Sequence, residues 1–64
     1  MKISNAIKTY IESQKDKEDL AKRWNITVTT LYNLMAGKNE PSAPLIESVL
    51  RDTGFDFEKA FELN

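Results

Sequence analysis

Apolar residues recur three and four positions apart through nearly the whole chain, and this helical period limits what the chain can fold into. A residue type that caps helix N-termini stands just before most of these apolar series. The sequence therefore predicts an all-α fold of five helices with no strand. The predicted caps are Ser4 or Asn5, Asp16, Thr27, Ser42 and Asp56.

The expected helix ends and the expected core follow from the same pattern. The first helix should end near Gln14 or Lys15, and the second at Trp24. Glycine commonly follows the last turn of a helix, so Gly37 and Gly54 should end the third and fourth helices. The predicted core positions are Ile3, Ile7, Tyr10, Ile11, Leu20, Ala21, Trp24, Ile26, Leu31, Leu34, Met35, Leu45, Ile46, Val49, Leu50 and Phe55.

The chain has 64 residues and no cysteine, so an ordinary apolar core must hold it together without disulfides or thiolate metal sites. We expect a single domain over residues 1–64. No stretch approaches the roughly 20 apolar residues of a membrane span, and no signal sequence opens the chain, so we expect a cytoplasmic protein. Asn25-Ile26-Thr27 matches the sequence pattern for N-glycosylation, but glycosylation is not expected in that compartment.

The third predicted helix contains a conflict between propensity and period. Residues 27–32 are mostly β-formers, but Leu31, Leu34 and Met35 keep a helical period, which favours a helix from Thr27. Only Asn25 and Ile26 separate it from the second helix. A turn this tight usually needs one residue at positive φ, which Asn adopts better than other non-glycines. We therefore predict a helix-turn-helix at about residues 17–37.

Charge is unevenly distributed along the chain, although the net charge is only -1. Residues 1–38 carry seven basic and four acidic side chains, whereas residues 39–64 carry two basic and six acidic ones. No Asp or Glu occurs between residues 20 and 39. The overall acidity argues against a nucleic-acid partner, but the basic first half favours one.

The order of these signals resembles the lambda-repressor-like regulators of the Cro and Xre type, over nearly the whole chain. The resemblance is carried by Leu20-Ala21, Ile26-Thr27, Leu31, Gly37-Lys38, Pro41-Ser42 and Gly54. Three positions depart from that family's usual pattern. Asn25 stands at the turn position that is most often Gly, and Lys17 stands at the first position of the second helix, which is commonly Gln. Tyr10 and Met35 stand where many members have an Arg–Glu pair. An apolar contact could replace that pair.

The resemblance implies a sequence-specific DNA-binding transcriptional regulator of phage or mobile-element type, with a recognition helix at 28–36 in the major groove. The face opposite Leu31 then carries Val28, Thr29 and Asn33 toward base edges. Phosphate contacts are expected from Lys17, Thr27, Tyr32 and Lys38. For Lys22 and Arg23, a solvated surface role competes with a phosphate contact. For Val28, Thr29 and Asn33 as well, the alternative to a base contact is a solvated surface role.

A module of this size should act as a homodimer on a palindromic operator. Phe57, Phe61 and Leu63 are candidates for the dimer interface, and the alternative is that the phenylalanines close the monomer core. Catalysis is not expected, because the chain has no His, no Cys and no phosphate-binding glycine loop. No cofactor or metal is expected either. The rival functional hypothesis is a protein-interaction module, such as an antirepressor that binds another regulator.

Overall fold

The computed structural model of the protein describes residues 1–63, which form five helices and two very short strands. The first strand and helix are β1 (Lys2–Ile3) and α1 (Asn5–Ser13), and α2 (Lys17–Arg23) and α3 (Val28–Met35) follow. The chain then forms α4 (Ala43–Thr53), α5 (Phe57–Ala60) and β2 (Phe61–Glu62). The described residues fill a body of 27 × 24 × 20 Å. The fold is therefore mostly helical, as the apolar period predicts.

Every helix begins at a predicted capping residue. In each case the cap side chain accepts a hydrogen bond from the backbone N–H three residues later, which satisfies one donor that the first turn leaves unpaired. The caps are Ser4, Asp16, Thr27, Ser42 and Asp56. Of the two candidates for the first cap, Ser4 is correct. Helix α1 ends at Ser13 with Gln14 as its C-cap, which agrees with the expected end.

The helix ends use positive φ at the expected residues. Asn25 has φ 58°, Gly37 has φ 74° and Gly54 has φ 75°, and no other residue among the described ones has positive φ. At Asn25 the chain reverses in a Schellman arrangement, in which the Ile26 N–H donates to the Ala21 carbonyl at 2.9 Å and the Asn25 N–H to the Lys22 carbonyl at 3.0 Å. The predicted left-handed turn residue is confirmed.

The prediction of no strand is wrong. Lys2 and Ile3 pair antiparallel with Glu62 and Phe61, and the Ser4 N–H extends this contact by donating to the Ala60 carbonyl at 2.9 Å. The helix that Asp56 caps covers only Phe57–Ala60, because Phe61, which at helical spacing from Phe57 would continue it, belongs to β2. Two-residue strands are too short to show alternation, and their pairing depends on the two ends of the chain meeting.

The core combines one face of each helix with both strands. Its buried apolar residues are Ile3, Ile7, Ile11, Leu20, Ala21, Trp24, Leu31, Leu34, Leu45, Val49, Ala60 and Phe61. Tyr10, Ile26, Met35, Ile46, Leu50 and Phe55 are partly buried and pack against it. Within residues 1–63, no helix has the length and apolar character needed to cross a membrane.

Candidate nucleic-acid interface

Helix α3 is stabilised by core packing and by a cap at each end, although its residues favour β-structure. Leu31 and Leu34 are buried in the core, at 0% and 2% exposure. At the first turn, the Thr27 hydroxyl accepts from the Thr30 N–H at 3.1 Å. At the last turn, the Lys38 N–H donates to the Asn33 carbonyl at 2.9 Å. Core packing and both caps therefore outweigh the weak intrinsic helicity of this segment, and the predicted helix is confirmed.

The outward side of α3 contains the residues predicted to face DNA, but they are not equally accessible. Thr29 and Ala36 are exposed, and Tyr32 is 52% exposed. Val28 and Asn33 are half-buried. The Asn33 side chain forms no hydrogen bond within residues 1–63, so its amide can still pair with a ligand. The structure thus brings Val28, Thr29 and Asn33 onto one helix, with Thr29 the most open of the three.

The residues predicted to contact phosphate lie at the ends of α2 and α3, and they differ in how they are engaged. Lys38 is exposed and immediately follows α3. Lys17 is half-buried, and its Nζ donates one hydrogen bond to the Gln14 carbonyl, which leaves two of its three N–H donors for a ligand but restrains the side chain. The Thr27 hydroxyl caps α3 and also bonds to the Thr30 hydroxyl at 3.0 Å. Lys38 is therefore the most available cation of the set.

The Asn25 turn and α3 carry no carboxylate, whereas α2 carries Glu18 and Asp19 in its first turn against Lys17, Lys22 and Arg23. No carboxylate lies between residues 20 and 39, and the acidic residues on either side of that interval are paired. Asp19 binds Arg23, and Glu40 binds the N-terminal ammonium group at 3.2 Å. Lys22 and Lys38 have no ion-pair partner among the described residues. The local charge is therefore positive, although the chain as a whole is slightly acidic.

Sequence reasoning missed a polar network centred on Asp52, at the end of α4. Its Oδ2 atom accepts hydrogen bonds from Tyr10 Oη at 3.0 Å, Trp24 Nε1 at 3.0 Å and Arg23 Nη2 at 3.2 Å. Tyr10 also stacks on Trp24, with ring centroids 6.3 Å apart and an angle of 12° between the planes. Each partner lies 28 to 42 residues from Asp52 in sequence, so no local pattern could reveal the contacts. We call Tyr10, Arg23, Trp24 and Asp52 the Asp52 network.

The network shifts the ionisation of its members. Burial tends to raise the pKa of the Asp52 carboxyl, but the hydrogen bonds from Arg23, Tyr10 and Trp24 outweigh burial and hold that pKa below its usual value. Burial, together with the hydrogen bond to Asp52, raises the pKa of the Tyr10 hydroxyl. Both shifts favour the state in which Tyr10 is protonated and Asp52 is ionised, which is the state that keeps their hydrogen bond.

Acidification is expected to weaken the fold through Asp52. Because the pKa of Asp52 is lower in the folded chain, its carboxylate stabilises the fold above the unfolded pKa of about 4. This contribution is lost as the pH falls through the folded value. Asp52→Asn should therefore lower the free energy of unfolding by on the order of 1 kcal/mol at neutral pH and by much less in acid below the folded pKa.

Urea denaturation followed by circular dichroism at both pH values measures this difference. Glu47→Gln is the matched control, because Glu47 is an exposed α4 carboxylate without an ion pair among the described residues. Glu47→Gln should change the free energy of unfolding little at either pH. An Asp52→Asn cost that is the same at neutral and acidic pH would contradict the assignment.

The C-terminal aromatic segment divides into core and surface. Phe61 is 3% exposed and closes the monomer core, so the core alternative holds for it and it cannot offer its side chain to a partner. Phe57 is 40% exposed and packs on Phe61 with ring centroids 5.4 Å apart, and Leu63 is 79% exposed. Of the three residues considered for a dimer interface, only Phe57 and Leu63 remain accessible.

Within residues 1–63, the surface has no ligand-sized pocket, and no cluster of three metal-ligating side chains is present. Comparison of the chain with models of protein families, with curated proteins and with solved structures found no match.

Proposed function

We propose that this protein is a sequence-specific DNA-binding regulator in which α2 and α3 act as a helix-turn-helix and α3 enters the major groove. The observation that carries the proposal is the outward side of α3: a core-anchored helix presents polar and methyl groups, with no carboxylate between residues 20 and 39. DNA phosphates repel carboxylates, so their absence here is what a DNA-facing surface requires. The left-handed turn at Asn25 supports the same interpretation.

Base recognition in this proposal depends on three side chains of α3. The Asn33 amide can form a bidentate pair with the N6 and N7 atoms of adenine. The Thr29 hydroxyl can donate or accept, and the methyl groups of Val28 and Thr29 can pack on a thymine methyl. The proposal therefore favours a site rich in A·T pairs.

Phosphate contacts orient the helix in the groove. Lys38 and Tyr32 are the accessible contributors; Lys17 adds its remaining N–H donors, and Thr27 donates by exchanging its bond to the Thr30 hydroxyl. A single module of this size makes few such contacts, so the functional unit is a homodimer on a palindrome with half-sites about 34 Å apart. Phe57 and Leu63 are the exposed apolar residues proposed for the dimer contact.

A second candidate function is protein binding on the same scaffold, as in an antirepressor that binds another regulator. Two observations favour it: the net charge of the chain is -1, and the outward side of α3 carries a large aromatic ring, Tyr32, at 52% exposure. The carboxylate-free interval argues against it, because a protein-binding helix has no need to exclude Asp and Glu.

Replacing Asn33 by alanine is expected to remove sequence preference without unfolding the chain. The first step selects duplexes from a random library with the wild-type protein. Loss of one bidentate pair should then weaken binding to the selected duplex by about 1–3 kcal/mol and leave binding to unrelated duplexes nearly unchanged. Fluorescence anisotropy with both duplexes measures the two affinities.

Asn5→Ala is the matched control, because Asn5 is an exposed asparagine on α1 that does not cap that helix. It should bind both duplexes as the wild type does. If the library yields no preferred duplex, or if Asn33→Ala keeps the full preference, the DNA proposal is wrong. The protein-binding candidate predicts instead a stable complex with a second protein that Tyr32→Ala disrupts.

A further inference from the structure

The Asp52 network reaches the residue that immediately precedes the Asn25 turn. Trp24 is the C-cap of α2 and is only 1% exposed, and its indole N–H donates to Asp52 Oδ2 at 3.0 Å. The same oxygen also accepts from Tyr10 and Arg23, and Oδ1 has no partner within residues 1–63. Three donors from α1 and the end of α2 therefore converge on one oxygen atom of α4.

Trp24 is held on two sides by this arrangement. The Tyr10 ring stacks on the indole at a centroid distance of 6.3 Å, and Asp52 binds the indole nitrogen. An indole N–H that loses its partner in a buried position is costly, so Trp24 would shift toward another acceptor or toward water if Asp52 were removed. The position of Trp24 therefore depends on Asp52 as well as on apolar packing.

Trp24 is close in sequence to α3, so a shift of Trp24 would affect the start of that helix. Only Asn25 and Ile26 lie between Trp24 and the cap Thr27, and both of their N–H groups are bonded to the last turn of α2, at 3.0 and 2.9 Å. With both N–H groups bonded, the turn has little conformational freedom. It transmits a displacement of the end of α2 to the first turn of α3, where Val28 and Thr29 lie.

Arg23 is exposed, but its guanidinium is engaged in intramolecular ion pairs. Its guanidinium pairs with Asp52 at 3.2 Å and also with Asp19, one turn earlier in α2. The Asp52 network thus uses the arginine nearest the turn to join α2 to α4. This use distinguishes Arg23 from Lys22 and Lys38, which have no ion-pair partner among the described residues.

We infer that Asp52 is a positioning residue for DNA recognition: by holding Trp24 it fixes the start of α3 relative to the rest of the domain, and so the orientation in which α3 meets base edges. The inference rests on the proposed DNA-binding function. It assigns a specificity role to a residue that touches no DNA and lies in a different helix.

Asp52→Ala and Asp52→Asn test the inference, with Glu47→Gln as a charge-matched control on the same helix. Affinities for the duplex selected by the wild type and for an unrelated duplex are measured at a temperature where circular dichroism shows each variant to be folded. Asp52→Ala should lose about tenfold in affinity for the selected duplex, a size typical of residues that act through packed contacts. Binding to the unrelated duplex, which depends on phosphate contacts, should change little.

Asp52→Asn keeps one acceptor oxygen and should lie between Asp52→Ala and the wild type; it carries the test if Asp52→Ala does not fold. Glu47→Gln should bind as the wild type does. A purely structural role would change stability but would leave both affinities of the folded protein unchanged, and that result would overturn the inference. An equal loss for both duplexes would overturn it too. Tighter binding of the Asp52 variants to DNA, with a steeper salt dependence, would also overturn the inference, because it would mean that Arg23 had been released to bind a phosphate.

Backbone amide chemical shifts provide a readout that needs no DNA. Asp52→Asn should move the Trp24 indole signal and the amide signals from Asn25 through Thr30, whereas Glu47→Gln should not. Shifts confined to the residues that touch Asp52 would contradict the inference. If the wild type selects no duplex but the shifts reach α3, the proposed function fails while the structural coupling stands, so the two failures are distinguishable.

Discussion

Replacing Leu31 by alanine is expected to remove a large fraction of the free energy of unfolding. Leu31 is fully buried and is one of the residues that anchor α3 to the core. Large-to-small changes at such positions cost about 2–5 kcal/mol, because the lost apolar contact is followed by a cavity that closes only in part. A domain of 64 residues has a total stability of roughly 3–10 kcal/mol, so this single loss removes much of it.

Thermal and urea denaturation followed by circular dichroism measure this loss, and Leu63→Ala is the matched control. Leu63 is 79% exposed, so the same substitution there should change the free energy of unfolding by less than about 0.5 kcal/mol at low protein concentration. Equal costs for the two variants would mean that α3 is not anchored through Leu31 in the way described.

A glutamate in place of Thr29 is expected to abolish DNA binding and leave the fold intact. Thr29 is exposed in the first turn of α3, where a carboxylate interacts favourably with the helix dipole, so the stability should be unchanged or slightly higher. In the proposed complex the new charge would lie near phosphates and base edges. Like charges brought together in an interface cost several kcal/mol, which corresponds to a loss of more than about 100-fold in affinity.

Thr9→Glu is the control for this experiment, because Thr9 is also an exposed helical threonine and lies on α1, outside the proposed interface. It makes the same change in net charge and should weaken binding only slightly. Anisotropy titrations with the selected duplex compare the two variants. Similar affinities would show that the effect is one of overall charge, and the assignment of α3 as the DNA-contacting helix would be wrong.

Local features of the sequence predict the helices and the turn of this fold well. Capping residues such as Thr27 act within three residues of their own position, and the left-handed conformation of Asn25 follows from the short interval between two helices. The β-forming run after Thr27 was the strongest local conflict. The apolar period resolved it, because burial of Leu31 and Leu34 contributes more than the propensities of the surrounding threonines.

Features that depend on distant parts of the chain could not be predicted. The pairing of Lys2–Ile3 with Phe61–Glu62 requires the two ends of the chain to meet, and neither segment has enough residues to show a strand period. The helical period predicts Tyr10 as a core position, and it does pack against the core, but its hydroxyl is not accounted for by that pattern. That hydroxyl donates to Asp52, which is 42 positions away and has an ordinary sequence context.

The candidate interface was only partly predictable for a related reason. The helical period correctly indicates which side of α3 turns outward, but it does not show how far neighbouring segments cover that side. Val28 and Asn33 are half-buried, and Thr29 is open. The bond from Lys17 to the Gln14 carbonyl also depends on how α1 and α2 meet, rather than on either helix alone.

The salt dependence of binding to the selected duplex tests the central claim most directly. Each phosphate neutralised by a lysine contributes about -0.9 to the slope of log K against log salt concentration. With Lys17 and Lys38 engaged in each protomer, the proposal predicts a slope of about -4 for a dimer, and Lys38→Ala should reduce its magnitude by about two. A slope near zero that Lys38→Ala does not change would contradict the proposal that this protein binds DNA.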